Sequence, residues 1–300
     1  MDAARTEAGV TDDQEGTRFY ENAYELKTGP LSAATQGMND LMCVDSAVLN
    51  ARMDKGLNGM EEEAAAFAAG SPEHCKMVCE TVDYVVNQKT SEKVCPNGIR
   101  DKGRVDVRPM DFTSHAKALK ARVTGPEVLS VRVYTTHVYA DMNTALRDGE
   151  RYARGVAVPL PAMSAWATEG VKKLRTLHAG LPFGEEKVVL WRGMRSVRVS
   201  AEFMKKGGTE LGFMSTTKEL GVAVRYSLSR HSLLLKIVVP SFVSFGADLE
   251  WLSAFSNEAE VLYPPLTYLQ PTGRTDTVDA VDRNGRPVTF TVVEVTPYIG

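Results

Sequence analysis

The run Phe255, Ser256, Asn257, Glu258, Ala259, Glu260, Val261, Leu262, Tyr263, Pro264 and Pro265 sets two carboxylates two positions apart. An apolar triplet and a double proline follow them. In a strand, residues i and i+2 share a face. Glu258 and Glu260 are therefore expected to project together from a strand start, with Phe255 on the incoming loop. Such an acid pair can bind a sugar hydroxyl and hold charge against a developing cation. Two further groups end predicted strands upstream: Arg192 in LWRGM, and Ser215, Thr216 and Thr217 in GFMSTT, where a helix also opens. Each has a plainer reading. Arg192 alone is a strand-end ion pair, Ser215 alone is a helix N-cap, and a lone Glu260 is a solvated acid.

The elements that must position these residues are legible in outline. Lys187–Arg192 (KVVLWR) reads as a buried strand, Ser200–Lys206 as a short helix, Gly212–Ser215 as a strand end and Lys218–Leu228 as a helix. Ser232–Val239 (SLLLKIVV) is a strong strand closed by Pro240, and Val261–Tyr263 and Val288–Val295 (VTFTVVEV) complete the set. Ahead of them, Ala140–Arg154 and Ala162–His178 read as two helices. Helices first, then short strands with few crossovers, predict an α+β fold with two small packed sheets.

Residues 1–35 are polar and rich in Gly, Thr and Asp, which reads as a loosely held, flexible arm. From about Leu41 to Val86 the pattern is helical, and Ser71, Pro72 and Glu73 form a helix start. The charged stretch 89–112 holds a Pro-Asn-Gly turn signal and reads as a connector. The boundary falls between 110 and 125. It separates a mainly helical region of unknown role, 1–120, from a second domain, 121–300.

The 300 residues are 43% hydrophobic, enough for one large domain or two ordinary ones. A formal net charge of -3 gives no reason to expect nucleic acid or a polybasic membrane anchor. No run of about 18 apolar residues exists, so no membrane span is expected. The acidic start carries no hydrophobic stretch. A cytoplasmic or otherwise soluble protein is therefore expected, with secretion left open. Cys43, Cys75, Cys79 and Cys95 are too sparse for a disulfide scaffold. Cys75 and Cys79, one helical turn apart beside His74, could form half of a metal site completed by Cys95. The C-x2-C spacing and a second matched pair are missing. Small buried hydrophobes are the better reading, and no metal is predicted. The phosphate-loop, zinc-protease and dinucleotide-fold motifs do not occur.

In order along the chain, Arg192 with Gly193, Ser215-Thr216-Thr217, and Glu258-Ala259-Glu260 before an apolar triplet form a pattern. That pattern resembles the arginine–serine–glutamate class of mono-ADP-ribosyltransferases, shared by vertebrate ecto-enzymes and bacterial toxins. Tyr134, Thr135, Tyr139, Asn143, Leu146 and Arg147 resemble that family's Tyr-Thr…Tyr…Asn-x-x-Leu-Arg helix. The resemblance covers residues 125–270. Thr217 stands where Ser is commonest, and the ecto-enzymes' signal peptide, disulfides and lipid-anchor tail are not seen.

The resemblance implies an ADP-ribosyltransferase-like fold and an enzyme that cleaves NAD. NAD is then a consumed substrate, with no resident cofactor, and ADP-ribose passes to an arginine of an acceptor protein. Glu260 would hold the ribose 2′-OH as the sugar becomes oxocarbenium-like. Arg192 would bind an NAD phosphate through its fixed fork of donors. The backbone at Gly193 would grip the nicotinamide amide. Ser215 would brace Glu260, and Thr216 belongs to the same NAD-binding turn. Tyr226 would stack on the nicotinamide or simply fill the core. Glu258 would attract the acceptor guanidinium and take its proton. Phe255 would dock the acceptor or tuck into its loop. Two alternatives stand beside this: an NAD glycohydrolase with water as acceptor, and a non-enzymatic NAD-binding or interaction module.

Overall fold

The computed structural model describes residues 37–92, 95–178, 187–229, 231–281, 285 and 287–299. The arm read at 1–35 lies outside them. The first half is helical: α1 (Ser46–Met53), α2 (Leu57–Ala66), α3 (Pro72–Asn87), α4 (Pro109–Thr113), α5 (Ala116–Ala121), α6 (Gly125–Tyr134), α7 (Tyr139–Arg147), α8 (Gly149–Ala153) and α9 (Pro161–Arg175). Strands β1 (Val188–Arg195), β2 (Gly208–Glu210), β3 (Met214–Thr217), β4 (His231–Val239), β5 (Ala247–Asp248), β6 (Glu260–Tyr263), β7 (Thr267–Val281) and β8 (Pro287–Tyr298) follow. Helices α10 (Ala201–Lys206) and α11 (Leu220–Ser227) interrupt them. This is the expected α+β architecture with a mainly helical first part.

Local chemistry sets the helix starts. Ser71 caps α3 through its hydroxyl, with Pro72 at the first helical position. Thr124 and Glu127 form a reciprocal capping box on α6. The single helix expected over 140–154 is broken at Asp148, whose ψ of 96° ends α7. Its side chain then accepts from the Arg151 N–H and starts α8. An aspartate beside glycine favours this cap over a continuous helix.

The strands run in the order β2-β7-β8-β4-β1-β3-β6-β5. All neighbours are antiparallel except β4 and β8. The two small sheets expected from the sequence are two parts of one hydrogen-bonded ladder. Their seam is a single register pair between β1 and β3, Trp191 with Thr217. The site described below lies along this seam. An apolar core runs from Leu41 and Leu49 through Leu129, Val133 and Trp166 to Phe213, Leu252 and Leu262. It ties the helices from before residue 110 to strand β6. Cys75, Cys79 and Cys95 pack against this core as half-buried free thiols.

The long hairpin of β7 and β8 exceeds the expected 288–295 strand, and β7 is absent from the sequence reading. Its first residues alternate in burial, but everything from Thr272 to Val281 is exposed. An exposed strand carries no apolar alternation to find, and Pro271 and Gly273 imitate a turn.

Candidate active site

A cavity of ≈ 290 Å³ lies among α7, β1, β3 and α11, and both Glu258 and Glu260 line it. Arg192, Gly193, Ser215, Thr216 and Tyr226 line it as well. Strand register brings the first pair together. Glu260 opens β6 opposite Thr217 on β3. Ser215, two residues along, is its diagonal neighbour on the same face. The Ser215 hydroxyl donates to Glu260 Oε1 at 2.6 Å. Glu260 is 2% exposed. Its other oxygen accepts from the Ser253 hydroxyl at 3.3 Å.

Glu258 reaches the cavity by a route other than the expected strand face. It closes a short 3-10 turn, Ser256–Glu258, and Ala259 then adopts φ 44° and ψ 46°. A left-handed alanine is uncommon, because its Cβ crowds the backbone. The i, i+2 strand reading is thus corrected: a turn and one left-handed residue, not pleat alternation, bring both acids to one cavity. Thr217 fixes this turn by donating to the Glu258 carbonyl at 2.7 Å. The Tyr226 hydroxyl donates to Glu258 Oε1 at 2.6 Å. Tyr226 is therefore joined to the outer acid rather than packed as plain filler.

Arg192 is set by β1, whose alternation buries it in line with Leu190 and Met194. Its Nη1 donates to the Ser215 carbonyl at 3.0 Å, across the seam. Its Nη2 lies 3.5 Å from Glu210 Oε2. Arg147 on α7 donates to the other Glu210 oxygen at 2.7 Å. One fully buried carboxylate thus serves two guanidinium groups. Burial, opposed by Glu210 and aided by Arg147, pushes Arg192 below the usual arginine range. For Arg147, burial is outweighed by Glu210, and its guanidinium is raised instead. The Arg192 Nε has no hydrogen-bond partner among the described residues. An anion entering the cavity would meet a buried cation with a donor to spare.

A Cβ on Gly193 would come 1.9 Å from the Ala223 carbonyl oxygen. Glycine is required there for α11 to lie directly on β1. Thr216 donates to the Val261 carbonyl at 2.6 Å and locks β3 to β6. Phe255 is half-buried against the helical core and lies outside the cavity lining. On α7, Asn143 exchanges hydrogen bonds with both backbone groups of Phe213, at 2.8 and 3.3 Å, and so fixes the entry to β3.

The sequence profile of NAD:arginine ADP-ribosyltransferases matches residues 108–282, more than half of the chain. The protein belongs to this family. It is a mono-ADP-ribosyltransferase that uses NAD. No curated protein sequence matches the chain. Solved structures similar to this transferase include the ADP-ribosyltransferase HopU1 of Pseudomonas syringae pv. Tomato DC3000. That pair shares 16% identity over 63% of this chain and 86% of the other, with a TM-score of 0.43. Plx2a, an ADP-ribosyltransferase toxin from Paenibacillus larvae, shares 16% identity over 61% and 92%, with a TM-score of 0.41. A mutant of the eucaryotic mono-ADP-ribosyltransferase ART2.2, in complex with NADH, shares 12% identity over 86% and 90%, with a TM-score of 0.47.

Two residues of this transferase's site carry no signal in the sequence reading. Glu210 sits in an ordinary-looking TEL stretch, and its role exists only because β2 and α7 converge on it. Ser253 lies two residues ahead of the run that holds the acid pair. Its bond to Glu260 depends on the path of the loop between β5 and β6. Among the described residues, no helix is long and apolar enough to cross a membrane.

Proposed function

We propose that this ADP-ribosyltransferase uses protein arginine side chains as acceptors, and that residues 121–300 carry the chemistry. One observation carries the reading: a second carboxylate, Glu258, lines the same cavity as the braced Glu260 and is held by Tyr226. Glu260 accepts a hydrogen bond from the ribose 2′-OH of NAD. The bond from the ribose carbon to nicotinamide nitrogen then breaks, and both electrons leave with nicotinamide. A preorganised carboxylate opposite the oxocarbenium-like sugar contributes about 3–4 kcal/mol to that step. Arg192 takes a phosphate of NAD, and its spare Nε supports that role.

The backbone at Gly193 meets the nicotinamide amide, and Thr216 holds the β3 turn beneath it. The ring of Tyr226 lies beside the nicotinamide. NAD is consumed, so the enzyme needs no resident cofactor. An arginine guanidinium stays protonated near neutral pH. A neighbouring carboxylate attracts it and accepts the proton released as nitrogen bonds to the ribose carbon. Glu258 has that task, and Phe255 at the head of its turn faces the acceptor protein.

The test is to incubate the full chain with adenine-labelled NAD and a small guanidine acceptor. Label bound covalently to the guanidine is the expected result. Label recovered only as free ADP-ribose would replace arginine transfer with NAD hydrolysis.

A further inference from the structure

The loop between β5 and β6 carries Ser253 and leads into Glu258, and several of its backbone groups bond to the helical part of the chain. Arg104 donates to the carbonyls of Glu250 and Ser253, each at 2.5 Å. Arg132 on α6 donates to the Leu252 carbonyl at 2.9 Å. The Asp101 N–H donates to the Ala254 carbonyl at 3.0 Å. Thr135 accepts from the Ala254 N–H, also at 3.0 Å. The donors are themselves fixed. Arg132 Nη2 meets Asp101 Oδ2 at 2.6 Å, with the two side chains 2% and 0% exposed. Tyr84 on α3 donates to that same oxygen at 2.8 Å. Arg104 also lies 3.5 Å from the other oxygen, Oδ1.

Two guanidinium groups spent on loop carbonyls are costly unless the loop must not move. Charge-assisted bonds of this kind are the strong ones. A loop of irregular backbone would otherwise sample several positions. The consequence for chemistry runs through one contact: the loop sets where the Ser253 hydroxyl stands against Glu260 Oε2.

We propose that Asp101, Arg104 and Arg132 are positioning residues for the transfer reaction. They strap the loop that braces Glu260 and presents Glu258. The segment ahead of residue 120 thereby completes the catalytic site instead of merely preceding it. The proposal rests on the roles given above to Glu260 and Glu258.

Arg104 is the residue to change, because its side chain is 14% exposed and its loss leaves the Asp101–Arg132 pair intact. Full-chain Arg104→Gln, Ser253→Ala and the double variant are compared for NAD cleavage and for transfer to a guanidine acceptor. Arg104→Gln is expected to lower kcat for NAD cleavage about tenfold with KM for NAD unchanged, because small misplacements at a reacting centre are costly. The double variant should fall no further than the weaker single variant, since Arg104 acts through Ser253. Arg104→Lys, which keeps the charge and can reach one carbonyl, should recover part of the loss. Backbone hydrogen exchange gives a readout independent of turnover: amides 250–256 should exchange faster in Arg104→Gln, with those of β1 and β4 unchanged.

Wild-type kcat in Arg104→Gln, strictly multiplicative losses in the double variant, or unchanged loop exchange would each overturn the strap. A wild-type protein that cleaves no NAD would instead overturn the roles assigned to the two acids.

Discussion

Ser253 faces Glu260 Oε2 at 3.3 Å while Ser215 holds Oε1 at 2.6 Å, so the inner carboxylate is gripped on both oxygens. A carboxylate restrained in this way cannot rotate to follow solvent, which suits a group that must meet a developing positive charge. Glu260→Gln keeps the shape and removes the charge. It is expected to lower NAD cleavage by about 10²–10³-fold, the cost of losing one preorganised electrostatic contact. Ser215→Ala removes the shorter brace and should cost about tenfold, in keeping with a hydrogen bond to a charged group. Steady-state nicotinamide release measures both, and thermal unfolding should stay close to wild type. A Glu260→Gln protein of full activity would remove that residue from the mechanism.

Glu258 is coupled to Tyr226 rather than to Ser215. The two acids are therefore held by different hydroxyls and should separate kinetically. Glu258→Gln is expected to abolish transfer to a guanidine acceptor while retaining a measurable share of NAD hydrolysis. Tyr226→Phe deletes only the hydroxyl that orients Glu258. It should reduce transfer more than hydrolysis, by about tenfold. Parallel assays with and without the acceptor give the ratio. Equal losses in both reactions would mean that Glu258 acts on NAD and not on the acceptor.

These contacts explain what can be read from the sequence and what cannot. Arg192, Ser215 and Glu260 are legible because each adjoins a short apolar run and they occur in order, although Arg192 stands inside β1 and Ser215 inside β3 rather than at the expected strand ends. The sequence places Glu258 beside Glu260 through pleat alternation, whereas a turn delivers it. Nothing in Asn257-Glu258-Ala259 announces a left-handed alanine, since that conformation is imposed by the Thr217 contact across the sheet. Glu210 and Ser253 were silent for the same reason. Their roles come from partners 63 and 7 residues away in the chain, which no local pattern encodes. Strand β7 gives no sequence signal because its exposed half lacks the apolar alternation that betrays a strand.

Glu210 makes the floor of the site a stability element as well as a binding one. It is fully buried between Arg147 and Arg192. Removing its charge would leave the buried Arg192 and the half-buried Arg147 without their counter-ion. Glu210→Gln is expected to cost about 3 kcal/mol of stability, the usual scale for breaking a buried ion pair from one side. KM for NAD should rise as well, because Arg192 loses the group that orients it. Urea unfolding and NAD titration kinetics report the two effects separately. A variant that keeps wild-type stability would show that solvent, not Glu210, compensates these guanidinium groups.

His137 supplies a pH dependence with a defined sign. Both ring nitrogens are buried without a hydrogen-bond partner among the described residues. Burial lowers its pKa below the ordinary 6.5; nearby Asp141 raises it in part, and His74 lowers it further. In the folded chain the imidazole therefore resists protonation, whereas in the unfolded chain it binds a proton at its ordinary value. Between those two values the unfolded state holds more protons, so stability rises with pH. The contribution is complete above about 6.5. It declines as the pH falls below that value, until the folded-state imidazole is protonated too. His137→Phe removes the titrating group and is expected to flatten the stability profile below pH about 6.5 relative to wild type. Denaturant unfolding at a series of pH values tests this, with buffers matched in ionic strength. If the variant and the wild type lose stability in parallel on acidification, the slope belongs to other groups and His137 is not its source.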